Sequence, residues 1–227
     1  MIKAVLFDVF ETQVTIYQSP LYLSMHMAKD AGIPAEQFKE FWQKMDEKRT
    51  LGYISLDEAV EIALKEFGCY SQELRFRIVN QRIQSKRECF NHIHPEIIPL
   101  LAALKNNGIK IGVISNCFTE EAKVIKESCL FPYYDSVSLS CELSMKKPDQ
   151  RIFRNCINNL SVDAKECVYV GDGGCLELET ASALGMHAIQ AMWYVNANNN
   201  HPTKRNTVFE MAEKPFDILK LVNNCLH

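Results

Sequence analysis

The sequence predicts a doubly wound, Rossmann-like parallel α/β sheet with an inserted α-helical unit. Three observations carry that prediction: five short continuous apolar runs, helical periodicity between them, and one long stretch after the first run with almost no strand signal. The runs cover residues 4–7, 109–114, 137–139, 168–170 and 187–192. Runs this short, bounded by turn or polar residues, suit strands covered on both faces rather than half-exposed antiparallel ones.

Taken in order, the first run closes on Asp8, and the stretch from about 18 to 90 then reads as a separate helical unit. This divides the chain into a core of 1–17 and 91–227 and a helical insertion of 18–90. Within the insertion Phe38, Phe41, Trp42 and Met45 follow the spacing i, i+3, i+4, i+7 and are read as helix packing. Ser55-Leu56-Asp57-Glu58 is a capping-box pattern opening a helix with Ala59, Val60, Ala63 and Phe67, and Gly32 and Gly68 stand where helices should stop. Arg75, Arg82 and Lys86 share a helical face, read as a solvated basic surface and alternatively as an anchor for an anion. After the insertion, residues 94–108 place Ile97, Ile98, Leu101 and Leu104 on one face before Asn106-Asn107-Gly108. Pro148 is expected in the first turn of a helix running through Ile152, Phe153 and Ile157. The polar residues 196–200 read as a loop.

Composition narrows the function classes. A chain of 227 residues has room for one α/β core with a sizeable insertion. Its 47% hydrophobic and 23% charged residues are ordinary for a globular protein and leave no reason to expect disorder. A net charge of −3 argues against a nucleic-acid partner bound through a basic surface. The N-terminal apolar run is broken by Asp8 far short of a signal or membrane-spanning stretch, so a cytoplasmic protein without a membrane partner is expected. Nine cysteines without CxxC or zinc-site spacing fit the reduced thiols of cytosol, and Cys117 is read as a bystander. The expected assembly is a monomer or homodimer.

In a doubly wound sheet, ligands bind beyond the carboxyl ends of the strands. Four such ends carry suitable chemistry: Asp8 with Thr12, Ser115 with Asn116, Lys146-Lys147-Pro148, and Asp172 with Glu177 across a glycine turn. Taken singly they are a strand-end turn, a small hydroxyl, a solvated lysine pair and an acidic βα loop. Taken together, in this order and spacing, and with Gly185-Met186 following, they resemble the motif set of the haloacid dehalogenase-like hydrolase superfamily over essentially the whole chain. The position of the insertion resembles that family's type C1 helical cap.

The resemblance implies Asp8 as a covalent nucleophile, with Lys147 and Ser115 as catalytic partners and a small anionic substrate. A carboxylate attacking phosphorus splits hydrolysis into two easier steps through an aspartyl-phosphate. Bringing that anion to a phosphoryl dianion requires a hard cation held by oxygen ligands. Asp8 and Asp172 can ligate Mg²⁺, Glu177 directly or through water, and the family implies the backbone carbonyl of Phe10 as a further ligand. Thr12, Ser115 and the amides near Phe10 and Asn116 are expected to hydrogen-bond the substrate. Glu11, in place of a common glycine, is read as non-catalytic, and His92 and His94 as hinge or surface residues.

Position 10 departs from the pattern. Phosphatases of the family usually carry there a second aspartate that protonates the leaving group, and this chain has Phe10. General acid catalysis contributes ~10²- to 10⁴-fold, so alkyl phosphates should turn over slowly. An aromatic residue there also resembles the metal-free 2-haloacid dehalogenases of the family, which typically lack the acidic pair that Asp172 and Glu177 form. The expected activity is a Mg²⁺-dependent phosphatase acting on a small phosphorylated metabolite. The alternatives are a metal-free 2-haloacid dehalogenase and a catalytically weak, ligand-binding member.

Overall fold

A computed structural model describes residues 1–198 and 201–224. Six parallel strands form one sheet in the order β3-β2-β1-β4-β5-β6. They are β1 (Ala4–Phe7), β2 (Lys110–Ser115), β3 (Ser136–Leu139), β4 (Cys167–Gly171), β5 (His187–Ala191) and β6 (Glu210–Ala212). The first five lie within two residues of the apolar runs. The chain winds outward from β1 to β3 and then returns to β4, so the order reverses between β1 and β4. That switch point is where a doubly wound sheet opens a crevice for ligands.

Side-chain alternation divides the central strands between two apolar layers. Val5 and Phe7 join Ile111, Val113, Val168 and Val170 on one face, under Ile97, Leu100, Leu101 and Leu104 of α6 (Ile97–Asn106). Ala4 and Leu6 join Tyr169 on the other face, under Ile152, Phe153 and Cys156 of α9 (Gln150–Leu160) and Leu178 of α10 (Glu177–Ala183). The first face also takes Ala122 and Ile125 of α7 (Thr119–Glu127) and Ile218 of α11 (Asp217–Asn224). The short α8 (Ser140–Leu143) follows β3 directly.

Between β1 and α6 run five helices: α1 (Ser24–Ala31), α2 (Ala35–Gln43), α3 (Asp46–Thr50), α4 (Leu56–Glu66) and α5 (Gln72–Glu88). Residues of α1, α2, α4 and α5 share a third apolar cluster, with Met27, Phe38, Trp42, Ala59, Val60, Ala63 and Ile78 buried in it. The capping box at Ser55 forms as expected: its hydroxyl accepts from Glu58 N–H at 3.2 Å, and Glu58 accepts from Ser55 N–H at 2.8 Å. Phe38 stacks on Trp42 at 5.6 Å, which agrees with reading these aromatics as packing.

Several expectations need correction. Pro148 is not in the first helical turn; it precedes Asp149, the N-cap of α9, whose side chain accepts from Arg151 N–H. Met45 lies beyond α2 and caps α3. Neither β6 nor α11 was anticipated, because three residues beginning with Glu210 give no apolar run. Arg82 and Lys86 are not a solvated face. Both are buried between α5 and α7, where Arg82 Nε lies 3.5 Å from Glu120 and Lys86 Nζ lies 2.7 Å from Glu121. Only Arg75 stays near the surface, paired with Asp57 and Glu61. Residues 199 and 200 of the polar 196–200 run lie outside the described residues.

Candidate active site

Asp8, Ser115, Lys147 and Asp172 converge at the carboxyl edge of the sheet, on either side of the switch point. Parallel registry does most of this, since Phe7 pairs with both Val113 and Val170, which brings the residues just past β1, β2 and β4 to one level. The turn after β1 is fixed by backbone bonds from Thr12, Gln13 and Val14 N–H to the Val9 carbonyl. Gln13 reaches back to the Asp8 carbonyl at 3.0 Å. Glu11 accepts from Thr15 and Ile16 within this turn, consistent with a structural role.

Lys147 is the hub. Its Nζ donates to Asp8 Oδ1 at 2.7 Å and to Glu177 Oε2 at 2.5 Å, with only 4% of the residue exposed. Asn116 holds the lysine's backbone from both sides, accepting from Lys147 N–H at 2.7 Å and donating to its carbonyl at 3.0 Å. Glu177 also accepts from the Tyr169 hydroxyl at 2.8 Å and from Gly173 N–H at 3.0 Å. Its approach to β4 requires a glycine, because a Cβ on Gly171 would sit 2.0 Å from Glu177 Oε1. Asp172 accepts from Gly174 N–H and from the Thr203 hydroxyl, while Gln190 donates to its carbonyl.

Carboxylate oxygens of Asp8, Asp172 and Glu177 lie within 4.8 Å of one another, all three residues buried. Burial, with Glu177 and Asp172 nearby, pushes the Asp8 carboxyl up to about 7 against the pull of Lys147. Burial and Glu177 push Asp172 up to about 7 as well. For Lys147, burial acts to lower its value, but Asp8 and Glu177 outweigh it and hold the ammonium above its usual range. Three buried carboxyls thus face one ammonium. A hard divalent cation fits this all-oxygen donor set and would relieve the crowding that holds two of the acids up.

Two hydroxyls at the same edge are buried without a hydrogen-bond partner: Ser115 Oγ and Thr12 Oγ1. An unpaired buried hydroxyl is costly unless a ligand or water satisfies it. Phe10 is half-buried against the apolar layer, its ring 5.4 Å from Lys86 Nζ. Beside Lys147, a cavity of about 240 Å³ is lined by Thr50, Asn116, Cys117, Glu121 and Cys175 among others. Cys117 is buried, and its thiol is pushed well above its usual value by its hydrogen bond with Cys141 and by burial. His92 is exposed and His94 half-buried beside Tyr194.

Sequence reasoning missed Tyr169, Gln190, Thr203 and the buried His201, whose Nε2 lies 3.4 Å from Glu11 and 4.0 Å from Asp172. A tyrosine inside the otherwise aliphatic Val168-Tyr169-Val170 was the one available signal, since a buried phenol needs a partner.

A carboxylate at the end of β1, a lysine paired with it and a second acidic pair at the switch point of a parallel sheet are the arrangement of a class of hydrolase. The sequence model of the haloacid dehalogenase-like hydrolases matches residues 2–185, and the chain belongs to that family. It is 27% identical to the glyceraldehyde 3-phosphate phosphatase of Methanopyrus kandleri over 209 residues, 84% of each chain. It is 23% identical to (S)-2-haloacid dehalogenase 1 of a Pseudomonas species, over 97% of this chain and 98% of that one. The fold is similar to the crystal structure of a HAD phosphatase from Thermococcus onnurineus, with a TM-score of 0.66 at 21% identity over 97% of this chain and 98% of that one. No helix among the described residues is long and apolar enough to cross a membrane.

Proposed function

We propose that this hydrolase is a Mg²⁺-dependent phosphatase of a small phosphorylated metabolite, acting through an aspartyl-phosphate on Asp8, with residues 18–90 as its cap. One observation carries the reading: three mutually crowded carboxyls and one lysine stand beside two buried hydroxyls that lack partners. The name of the Methanopyrus relative, a phosphatase of a small phosphorylated sugar, supports the substrate class.

Asp8 attacks phosphorus with one carboxylate oxygen while the bond to the leaving oxygen breaks, and water then attacks phosphorus to free Asp8. Lys147 holds the nucleophile in place and offsets negative charge on the phosphoryl group. Ser115 and Thr12 supply hydroxyl donors, and the Asn116 side chain acts through the Lys147 backbone rather than on substrate. Asp8, Asp172 and Glu177, with the Phe10 carbonyl, would hold Mg²⁺, which supplies charge neutralisation for the phosphoryl oxygens. Phe10 offers no proton to the leaving group.

Phe10 and the full-length similarity to a dehalogenase favour a second reading, halide displacement by the same aspartate without metal. A panel of aryl, acyl and alkyl phosphates with and without Mg²⁺, beside halide release from 2-chloropropionate, separates the two. The expected result is Mg²⁺-dependent phosphate release that chelator abolishes. Titration calorimetry should show Mg²⁺ affinity falling at least about tenfold in Asp172→Asn, since a charged ligand is lost. Halide release insensitive to chelator would overturn the proposal.

A further inference from the structure

Two thiols lie side by side behind the Asn116 loop. Cys117 Sγ and Cys141 Sγ are 4.0 Å apart, and Ser140 already ties their backbones together. Cys117 N–H donates to Ser140 Oγ at 2.9 Å, and the Ser140 hydroxyl lies 3.1 Å from the Cys117 carbonyl as its donor. A disulfide brings the sulfurs to about 2.05 Å, so bonding this pair closes a gap of about 2 Å. Among the described residues no other pair of cysteines is joined by a hydrogen bond.

We infer that Cys117 and Cys141 are a peroxide-responsive pair whose reversible disulfide restrains the loop beside Lys147. Access favours Cys141 as the first to react. It is half-buried and lines a cleft of about 420 Å³ with Thr119, Lys126 and Glu142, whereas Cys117 is 2% exposed. The hydrogen bond with Cys117 also lowers the Cys141 thiol below its usual value.

The chemistry balances with hydrogen peroxide as oxidant. Cys141 sulfur attacks one peroxide oxygen, the O–O bond breaks, and the sulfenic acid forms with release of water. Cys117 sulfur then attacks the Cys141 sulfur, the S–S bond forms, the S–O bond breaks, and the Cys117 proton leaves with the departing oxygen as a second water. The two sulfurs together lose two electrons and peroxide gains them. A dithiol reductant reverses the bond.

The disulfide would reach the site through short links. Cys117 follows Asn116, whose side chain holds the Lys147 backbone, and both line the cavity beside that lysine. On the other side, the Cys141 carbonyl is pressed against Gly52 of the helical insertion, where a Cβ would lie 1.8 Å from the carbonyl oxygen. The crosslink therefore pulls on a loop that positions Lys147, anchored to a segment the insertion grips. A misplacement of about 1 Å at a reacting centre can cost ~10²-fold in rate. This effect on turnover rests on the phosphatase reading, while the crosslink itself does not.

The test treats the whole protein with near-stoichiometric hydrogen peroxide and maps peptides without reduction. The expected result is a linked peptide pair containing Cys117 and Cys141, with phosphatase turnover down about tenfold or more and restored by dithiothreitol. Cys141→Ser should keep basal turnover and resist peroxide. Cys175→Ser should respond as the parent does, which excludes the exposed Cys175 at the same cavity. Free Cys117 and Cys141 thiols after peroxide, or a crosslink between other cysteines, would overturn the pairing. A Cys117–Cys141 crosslink with undiminished turnover would overturn the regulation. Absence of phosphatase turnover in reduced protein that still forms the crosslink would count against the function proposed above and leave the pairing supported.

Discussion

Asp8 has its carbonyl bonded by Gln13 and its Oδ1 held 2.7 Å from Lys147 Nζ. An asparagine fits that space, but its neutral amide is a poor nucleophile. Asp8→Asn should therefore reduce turnover of every substrate by at least ~10³-fold with the circular dichroism spectrum unchanged. Residual activity near the parent's would mean that another group attacks. Phe10 marks the opposite case, a position whose usual acid is missing. Parent rates should fall steeply as leaving-group pKa rises, with aryl and acyl phosphates ~10²- to 10⁴-fold ahead of alkyl phosphates. Phe10→Asp should flatten that dependence, at some cost in stability from the lost ring packing. Equal parent rates for aryl and alkyl phosphates would show that a different residue protonates the leaving group.

At the scale of elements, the helical insertion is fastened to the core by buried charges rather than by a continuous apolar seam. The guanidinium of Arg49, in the last turn of α3, lies 4.4 Å over Trp42 and 3.8 Å over Phe118. It pairs with Glu120 of α7 at 2.9 Å, and Arg82 approaches the same carboxylate. Removing one member of such a cluster leaves the others buried and uncompensated. Glu120→Ala should lower unfolding free energy by ~3–5 kcal/mol, read from urea titration. Removing the exposed Lys126–Glu142 pair should change it by under about 1 kcal/mol. Similar losses for the two variants would mean that the insertion is held chiefly by other contacts.

For the whole molecule, the raised acids couple stability to pH. Asp8 and Asp172 are each pushed up to about 7 from an ordinary value of 3.8, so between those limits the folded chain holds protons that the unfolded chain has released. Their contribution to stability therefore declines as pH rises from about 4 to about 7 and is flat above. Mg²⁺ bound as proposed would compete with the same protons, so its stabilisation should grow across that window. Melting temperature should rise more on adding saturating Mg²⁺ at pH 8 than at pH 5, and chelator should remove the gain. An equal Mg²⁺ effect at both pH values would mean that these two acids are not its ligands.

The sequence by itself determined where β1 to β5 run, because continuous apolar segments between polar ends have few other uses in a chain of this composition. Parallel strands also place their carboxyl ends at one edge, which brings Asp8, Ser115 and Asp172 together, while the arrival of Lys147, in the loop beyond α8, was expected only from the resemblance of the motif order. Only the tertiary structure decided the partners of residues whose local pattern is ambiguous. Arg82 and Lys86 look like a solvated face from α5 alone, and they are buried because α7 sets Glu120 and Glu121 opposite them. Tyr169 reads as one more apolar strand residue until α10 brings Glu177 to its hydroxyl. The same holds for Thr203 on Asp172 and for Cys117 beside Cys141, which lie 31 and 24 positions apart in the chain. Periodicity records which face of an element is apolar; which charged or polar group waits across the gap depends on packing between elements distant in sequence.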